Sequence, residues 1–210
     1  MDHLNVSHQR WQDHRLFLSH FRKNPRTVGA IAPSSQRLAR TMLDGLTLPM
    51  GVRVVELGPG TGAVTGEIVR RLPSYATCIA IDIDPVFSAR ISERWPKIDA
   101  ICDRAERLVE ILRARAALPI DHIISGLPFA SLPLATTRNI VDAIAESLRD
   151  GGTFTTFQYV HAYALPSAVA VRRLLAQKMN SAPTRAFVMG NLPPALVFRW
   201  QKQALAERGA

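Results

Sequence analysis

The feature that most constrains the fold is a glycine-rich turn in the stretch VVELGPGTGAVTGE, from Val54 to Glu67. Three glycines, Gly58, Gly60 and Gly62, follow an apolar run, and a helix-forming segment begins straight after them. A buried strand that ends in such a turn and opens into a helix is typical of an open α/β sheet. Because glycine has no Cβ, the backbone of this turn can approach a ligand closely. The turn therefore predicts a ligand site at the carboxyl edge of a sheet.

The same alternation of strand, turn and helix continues along the chain after residue 52. The predicted strands are 53–57, 77–83, 99–102, 122–125, 153–160, 185–189 and 195–201. The predicted helices are 63–72, 85–95, 105–116, 135–148 and 167–178, and the last two strands form a closing hairpin. This order predicts a Rossmann-like α/β fold, a mostly parallel seven-stranded sheet with helices on both faces.

An amphipathic helix is predicted over residues 1–24, before the α/β pattern begins. Its apolar side includes Trp11, Phe17, Leu18 and Phe21. The basic residues at its end and just beyond are Arg22, Lys23 and Arg26. We therefore expect residues 1–45 to form an N-terminal helical extension, which binds a membrane or acts as a lid. Residues 46–210 are expected to form the α/β domain.

Charge and hydropathy limit the partners and the location of the chain. The net charge is +9, and this basic excess favours a polyanion, either nucleic acid or an anionic membrane face. No apolar run approaches the ~20 residues of a spanning helix. The N-terminus also lacks the pattern of a secretory signal. We therefore expect a cytoplasmic protein. The two cysteines, Cys78 and Cys102, have no neighbouring Cys or His at metal spacing, so no bound metal is expected.

Two acids beside the glycine turn narrow the choice of ligand. The turn fits a loose GxGxx(G/A) dinucleotide motif, so a nicotinamide enzyme is one alternative. A pyrophosphate site, however, favours backbone amides without a nearby anion, whereas Glu56 stands two residues before the first glycine. Asp82 ends the second strand, where a carboxylate can accept both ribose hydroxyls. Ribose, a positively charged amine and close backbone approach together indicate S-adenosylmethionine.

The segments ELGPGTG and AIDIDP resemble the class I methyltransferases, especially the branch that contains the rRNA adenine dimethylases. By this resemblance, Glu56 lies near the methionine amino group and Asp82 binds the ribose. Ile83 packs on the adenine, and Asp103 accepts a hydrogen bond from the adenine amine. Ser125, at the end of the fourth strand, is expected to border the cofactor.

The methyl acceptor is expected beside Ser125–Phe129, the sequence SGLPF. The rRNA adenine dimethylases carry an Asn-Leu-Pro-Tyr-like motif here, and Gly126 stands in place of its Asn. Together with Gly29–Ser35 and Asn191–Ala195, the SGLPF segment resembles the bacterial phospholipid N-methyltransferases. That resemblance implies methylation of phosphatidylethanolamine to phosphatidylcholine at the inner face of the cytoplasmic membrane, with no nucleic acid as partner.

The remaining predicted site residues concern the acceptor amine. Tyr159 and His161, at the end of the fifth strand, are candidates to accept its proton or orient its lone pair. Phe129 and Tyr159 are predicted to form an aromatic box for the methylated ammonium. Arg185, on the closing hairpin, is a candidate for the lipid phosphate. Three alternatives stay open: an RNA adenine dimethylase relative, an enzyme of another aminolipid such as an ornithine lipid, and a non-catalytic binding module.

Overall fold

The structure, a computed structural model, describes residues 36–204, which belong to one compact unit. The strands are β1 (Arg53–Leu57), β2 (Thr77–Asp82), β3 (Asp99–Cys102), β4 (Ile120–Ser125), β5 (Leu148–Tyr159), β6 (Thr184–Val188) and β7 (Ala195–Gln201). The helices are α1 (Gln36–Leu43), α2 (Ala63–Arg71), α3 (Pro85–Arg94), α4 (Leu108–Ala114), α5 (Leu134–Ser147) and α6 (Pro166–Met179). None of these helices is long and apolar enough to cross a bilayer.

The predicted N-terminal helix lies outside the described residues. This also holds for the side chains assigned to it, Trp11, Phe17, Leu18, Phe21, Arg22 and Lys23, and for Arg26 beyond it. Their proposed contact with a membrane therefore stays a prediction.

All seven strands form one sheet in the order β3-β2-β1-β4-β5-β7-β6. The pairs from β3 to β5 are parallel, whereas β7 runs antiparallel to both β5 and β6. The predicted Rossmann-like, mostly parallel sheet with a closing hairpin is therefore confirmed. Only β7 opposes the common strand direction, so the sheet is mixed.

Two hydrophobic cores lie on opposite faces of the sheet, because alternate strand residues point to opposite sides. The α4–α6 core contains apolar residues of α4, α5 and α6 together with Phe154, Phe198 and Trp200. The α1–α3 core contains apolar residues of α1, α2 and α3 together with Val197 and Tyr159. Each fully buried large apolar side chain contributes roughly 1.5–3 kcal/mol relative to an exposed one.

Helix α1 belongs to the same compact unit as the sheet, although residues 1–45 were predicted to form a separate N-terminal extension. Its apolar side, which includes Leu38 and Met42, packs in the α1–α3 core. The guanidinium of Arg199, on β7, donates to the carbonyl oxygens of Met42 and Asp44 at 2.9 and 2.6 Å. The α/β domain therefore includes α1 and begins before residue 45.

Strand β5 begins five residues earlier than predicted, at Leu148 instead of Thr153. The sequence Asp-Gly-Gly at 150–152 favours a turn, yet it lies within the strand. A Cβ on Gly152 would lie 2.9 Å from the carbonyl oxygen of Arg149. Glycine thus permits the irregular start of β5, and the register with β4 shifts between Ile120 and His122.

Candidate active site

The candidate site lies where β1 and β4 end side by side. In open α/β sheets, ligands bind beyond the carboxyl ends of the strands, where the strand order reverses. Here the chain moves outward from β1 to β2 and β3, then returns to β4 on the other side of β1. The Gly126 N–H donates to the Leu57 carbonyl oxygen at 2.8 Å, and the Gly58 N–H donates to that of Ile81 at 2.8 Å. These bonds hold the two loops together at the predicted edge.

The first two glycines of the turn adopt backbone conformations that favour glycine. The φ angles of Gly58 and Gly60 are 71° and 54°. A Cβ on Gly58 would lie 2.8 Å from Cδ2 of Leu127, whereas a Cβ on Gly60 would meet no atom within 4 Å. Gly60 therefore leaves open space at the turn, which fits a ligand that approaches the bare backbone.

The third glycine has a different surrounding. Gly62, with a φ angle of 83°, precedes α2. A Cβ there would lie 2.5 Å from the ring of Trp95, and the Ile91 side chain is also close. Gly62 thus lets α2 pack against the end of α3. It was predicted to bind the cofactor, and in this geometry it contributes to the site indirectly, through this packing.

Replacing Gly60 with Ala should weaken cofactor binding at least about tenfold, since a methyl group would fill space that the turn leaves open. Gly51→Ala is the matched control, because Gly51 also has a positive φ, 77°, and no neighbour within 4 Å. Gly51 precedes β1, at the amino edge of the sheet. Both variants should lose similar stability, and calorimetric titration should separate them. Equal cofactor affinity of the two variants would remove Gly60 from the site.

Asp82 ends β2 beside the glycine turn. One carboxylate oxygen accepts the Gly60 N–H at 3.0 Å, and the other accepts the Asp84 N–H at 2.9 Å. A carboxylate at the end of the second strand is also where ribose hydroxyls bind in such sheets, which is the role predicted for Asp82. The structure thus places Asp82 next to Gly60, as the sequence predicts.

Glu56 is buried on β1, with 1% of its surface exposed. Its carboxylate accepts a hydrogen bond from the Thr65 hydroxyl, on α2, at 2.7 Å. Burial, and to a smaller extent the charge of Asp82, raises the pKa of Glu56 to about 8. A nearby cation would lower this pKa again by favouring the charged form. Thr65 is not among the predicted site residues, and its signal in the sequence is a hydroxyl in the first turn of the helix that follows the glycines.

Asp103 follows β3, and its N–H donates to the Asp82 carbonyl oxygen at 3.1 Å. Its carboxylate accepts the Arg104 N–H at 2.7 Å and pairs with Arg107 at 2.8 Å. The Arg107 side chain is half-exposed, so this ion pair stabilises the loop only weakly. Ile83 is partly exposed directly after Asp82. An adenine ring at this place would lie between the ends of β2 and β3.

Ser125 and Gly126 end β4 opposite the glycine turn. Ser125 is fully buried, and its hydroxyl accepts the Leu127 N–H at 3.2 Å. A Cβ on Gly126 would lie only 2.7 Å from the carbonyl oxygen of Gly58. Because that oxygen belongs to the backbone, relief of this contact would require one of the two loops to move. Glycine at position 126 is therefore a packing requirement, and no side chain extends into the site from it.

The predicted aromatic box of Phe129 and Tyr159 is not formed. Phe129 is buried in the α4–α6 core, edge to face with Phe154 at a centroid distance of 6.1 Å. Tyr159 is buried in the α1–α3 core, on the other face of the sheet. Phe129 is therefore a core residue, and its predicted catalytic role is not supported.

Tyr159 and His161 lie together at the carboxyl end of β5. Their rings stack at 5.7 Å, and His161 is exposed whereas Tyr159 is buried. The Tyr159 side chain hydrogen-bonds to that of Asn191, and burial raises the pKa of its hydroxyl to about 12. Asn191 in turn donates to the Pro193 carbonyl oxygen at 2.8 Å. The hydroxyl thus stays protonated at neutral pH and is no general base.

Arg185 is exposed on β6 and pairs in register with Phe198. A second arginine, Arg172 of α6, lies over the Tyr163 ring at 4.1 Å and donates to Gln158 at 2.6 Å. Burial, and to a smaller extent the like charge of Arg185, lowers the pKa of Arg172. Within residues 36–204 neither guanidinium has a carboxylate partner. The proximity of these two arginines could not be predicted, because only the fold brings α6 and β6 together.

Comparisons with known proteins agree with this architecture. Residues 54–152 match the family model of the methyltransferase domain. The chain is 29% identical over 187 residues to an ornithine lipid N-methyltransferase of Singulisphaera acidiphila, covering 88% of this chain and 93% of the relative.

Solved structures with low sequence identity share the fold. The N-methyltransferase NodS of Bradyrhizobium japonicum, solved with S-adenosyl-L-homocysteine, has a TM-score of 0.64 at 16% identity, covering 90% of this chain and 99% of NodS. A 1,6-didemethyltoxoflavin-N1-methyltransferase of Burkholderia thailandensis has a TM-score of 0.66 at 16% identity, covering 92% of this chain and 90% of that protein.

Sheet order and the matched domain show that the chain has the Rossmann-like fold of the class I S-adenosylmethionine-dependent methyltransferases. The resemblance to rRNA adenine dimethylases gains no support from these relatives.

Proposed function

We propose that the enzyme transfers a methyl group from S-adenosylmethionine to the primary amine of an aminolipid headgroup. The observation that carries this proposal is the similarity, along nearly the whole of both chains, to an ornithine lipid N-methyltransferase. The similarity extends well beyond residues 54–152, which match the methyltransferase domain in general. It therefore includes the C-terminal part of the chain, where substrate-specific residues are expected.

The acceptor side of the site supports an aliphatic amine. Gly126 packs against the Gly58 carbonyl oxygen, so it offers no side-chain amide to a planar, conjugated amine. An aliphatic amine needs no such acceptor, because its neutral form is already a good nucleophile. Positioning against the methyl donor then supplies most of the acceleration.

The residues at the carboxyl edge fit S-adenosylmethionine. The backbone of Gly58 and Gly60 would contact the cofactor directly, and Asp82, beside Gly60, would accept hydrogen bonds from its ribose hydroxyls. Glu56 would balance the charge of the methionine amine, and Asp103 would accept from the adenine amine. When bound, the cofactor supplies a methyl group already activated by its sulfonium.

Deprotonation of the acceptor is the step that remains for the protein and solvent. An alkyl amine has a pKa near ~10 and is mostly protonated at neutral pH. The Tyr159 hydroxyl, with a pKa raised to about 12, keeps its proton and can only orient the amine. We propose that the proton leaves to water at the edge where His161 is exposed.

Two headgroups are candidates, and each has a specific argument. Phosphatidylethanolamine follows from the resemblance of SGLPF and NLPPA to phospholipid N-methyltransferases. An ornithine lipid follows from the activity of the relative from Singulisphaera acidiphila. Both present a primary amine near an anionic group, for which Arg185 is the proposed partner. We also propose that the enzyme acts at the inner face of the cytoplasmic membrane, with help from the predicted helix over residues 1–24.

Methyl transfer from labelled S-adenosylmethionine tests the proposal directly. The acceptors are vesicles with phosphatidylethanolamine, vesicles with an ornithine lipid, and total RNA. Label in either lipid supports the proposal and identifies the headgroup. Label in RNA alone, or in none of the three, would overturn it.

Tyr159→Phe should lower kcat about tenfold or more, because it removes the hydroxyl proposed to orient the amine. Cofactor affinity should stay unchanged, as measured by calorimetry. Tyr163→Phe is the matched control, since Tyr163 stacks on Phe198 in the other core and keeps its ring. Similar kcat values for the two variants would exclude Tyr159 from the mechanism.

A further inference from the structure

Large exposed apolar side chains concentrate at the carboxyl edge of the sheet, where the site lies. They are Val86, Leu134, Val160, Leu165, Phe187, Met189 and Leu192. The remaining ones among the described residues, Met50 and Tyr75, precede β1 and β2 and so lie at the opposite edge. This asymmetry of the surface does not depend on the cofactor motifs.

The hairpin tip, residues 189–194 between β6 and β7, carries the most exposed members of this group. Met189 is 74% exposed and Leu192 is 85% exposed. Phe187 precedes them on β6 and is 56% exposed. Because side chains alternate along a strand, Arg185 and Phe187 point to the same side of β6. A cationic residue of β6 thus lies beside the apolar surface of the tip.

The hairpin tip is also tied to the end of β5. The Val160 N–H donates to the Pro194 carbonyl oxygen at 3.0 Å, and Asn191 contacts the Tyr159 side chain. Strand β6 lies three positions from β4 in the sheet, roughly 14 Å away. A molecule held at the tip would therefore extend over a short distance to the methyl-transfer site.

The charge of this part of the chain is one-sided. No Asp or Glu occurs between Asp150 and Glu207, a stretch that forms most of β5 and all of α6, β6 and β7. Of the six cations in this stretch, Lys178 pairs with Asp142, and Arg199 and Lys202 donate to backbone carbonyl oxygens. The other three are Arg172, Arg173 and Arg185. Within residues 36–204, Arg172 and Arg185 lie near each other without a carboxylate. A partner of this surface should therefore be anionic as well as apolar.

We propose that the hairpin tip inserts into the headgroup region of an anionic lipid bilayer and holds the enzyme at its substrate. A bilayer combines an apolar interior with anionic headgroups, which matches exposed Met, Leu and Phe beside arginine. RNA would also satisfy the arginines, but it leaves the exposed aliphatic side chains in water. The identity of the lipid substrate rests on the proposed function, whereas binding of the tip to a membrane is measured independently of methyl transfer.

Sedimentation of the full chain with vesicles of phosphatidylglycerol and phosphatidylethanolamine tests the insertion. Met189→Glu should weaken binding about tenfold or more, since it places a charge where apolar surface is buried. Met50→Glu is the matched control, because Met50 is 76% exposed at the opposite edge. It should stay within about twofold of the wild type. Equal binding of both variants, or binding to RNA and not to vesicles, would overturn the proposal.

Fluorescence provides a second measurement of insertion. A polarity-sensitive dye on Leu192→Cys, in a Cys102→Ser background, should shift to shorter wavelength on addition of these vesicles. The same dye on Met50→Cys should not shift. A dye on Leu192→Cys that stays in a water-like environment would also overturn the proposal.

The cationic residue beside the tip is tested by vesicle binding at low salt. Arg185→Gln should weaken vesicle binding about fivefold at low salt, the effect of one basic residue near an anionic surface. Arg90→Gln, an equal charge change at an exposed position of α3, should leave binding unchanged. Equal effects of the two variants would assign the attraction to net charge alone and overturn the role of the tip.

Activity on detergent-dispersed aminolipid separates this inference from the proposed function. If the wild type inserts its tip but methylates neither lipid, the proposed function fails while the insertion stands. If it methylates dispersed lipid and Met189→Glu equals the wild type on vesicles, the insertion fails while the function stands.

Discussion

Replacing Gly126 with Asn is expected to lower methyl transfer at least about a hundredfold, although the substitution recreates the Asn of the adenine dimethylase motif. The new Cβ would lie 2.7 Å from the Gly58 carbonyl oxygen, a contact that forces one of the two loops to move. A displacement of about 1 Å at a reacting centre is enough for a hundredfold loss. The loop that moves carries either the glycine turn or the acceptor edge.

The effect should appear in both binding and turnover. We expect cofactor affinity to fall about tenfold, measured by calorimetry, and kcat to fall further in the labelled-methyl assay. Gly51→Asn is the control, because Asn tolerates the positive φ of that position and no atom lies within 4 Å of its Cβ. Turnover of Gly126→Asn near the wild-type value would show that the loops can separate without cost. Methylation of RNA by this variant would instead revive the adenine dimethylase alternative.

The strands and helices could be predicted from the sequence because their apolar patterns and turn residues agree. Strands β1, β3 and β7 begin and end at the predicted residues. The start of β5 could not be predicted, since Gly151 and Gly152 favour a turn while the backbone beside β4 needs glycine for close packing. Local turn chemistry and sheet packing give opposite signals there, and packing prevails.

The glycine turn and Asp82 could be predicted because they are adjacent to strand ends, whose relative positions follow from the fold. The predicted aromatic box is not formed, and the alternation of side chains along a strand explains part of the reason. Phe154 and Tyr159 are an odd number of residues apart on β5, so they face opposite cores. Phe129 lies in a 3₁₀ turn after Pro128, where no alternation indicates its direction. Its contact with Phe154 is set by the packing of the loop.

Glu56→Gln is expected to have opposite effects on stability and on cofactor affinity. In the free protein the pKa of Glu56 is raised from 4.5 to about 8, mainly by burial. Because the folded state binds the proton more tightly than the unfolded state, the free energy of unfolding falls as pH rises from about 4.5 to 8. The contribution is fully present below pH 4.5 and is lost above pH 8.

Gln keeps the oxygen that accepts from Thr65 but has no charge to bury. Between pH 5 and pH 8 the wild type should therefore lose on the order of a few kcal/mol more stability than Glu56→Gln. Urea denaturation of both proteins at the two pH values isolates this group, since all other ionisable residues are shared. Parallel pH dependence of the two proteins would show that the carboxyl ionises without cost.

The affinity of Glu56→Gln for S-adenosylmethionine should fall about tenfold or more at pH 8, because a charged hydrogen bond to the methionine amine is lost. A residue that reduces stability yet strengthens binding serves the ligand, and this is the pattern expected of a functional group held under strain. Thr65→Ser, which keeps the hydroxyl, should change neither quantity strongly. If Glu56→Gln binds the cofactor as tightly as the wild type, Glu56 is a buried structural acid, and the methionine amine must be balanced elsewhere.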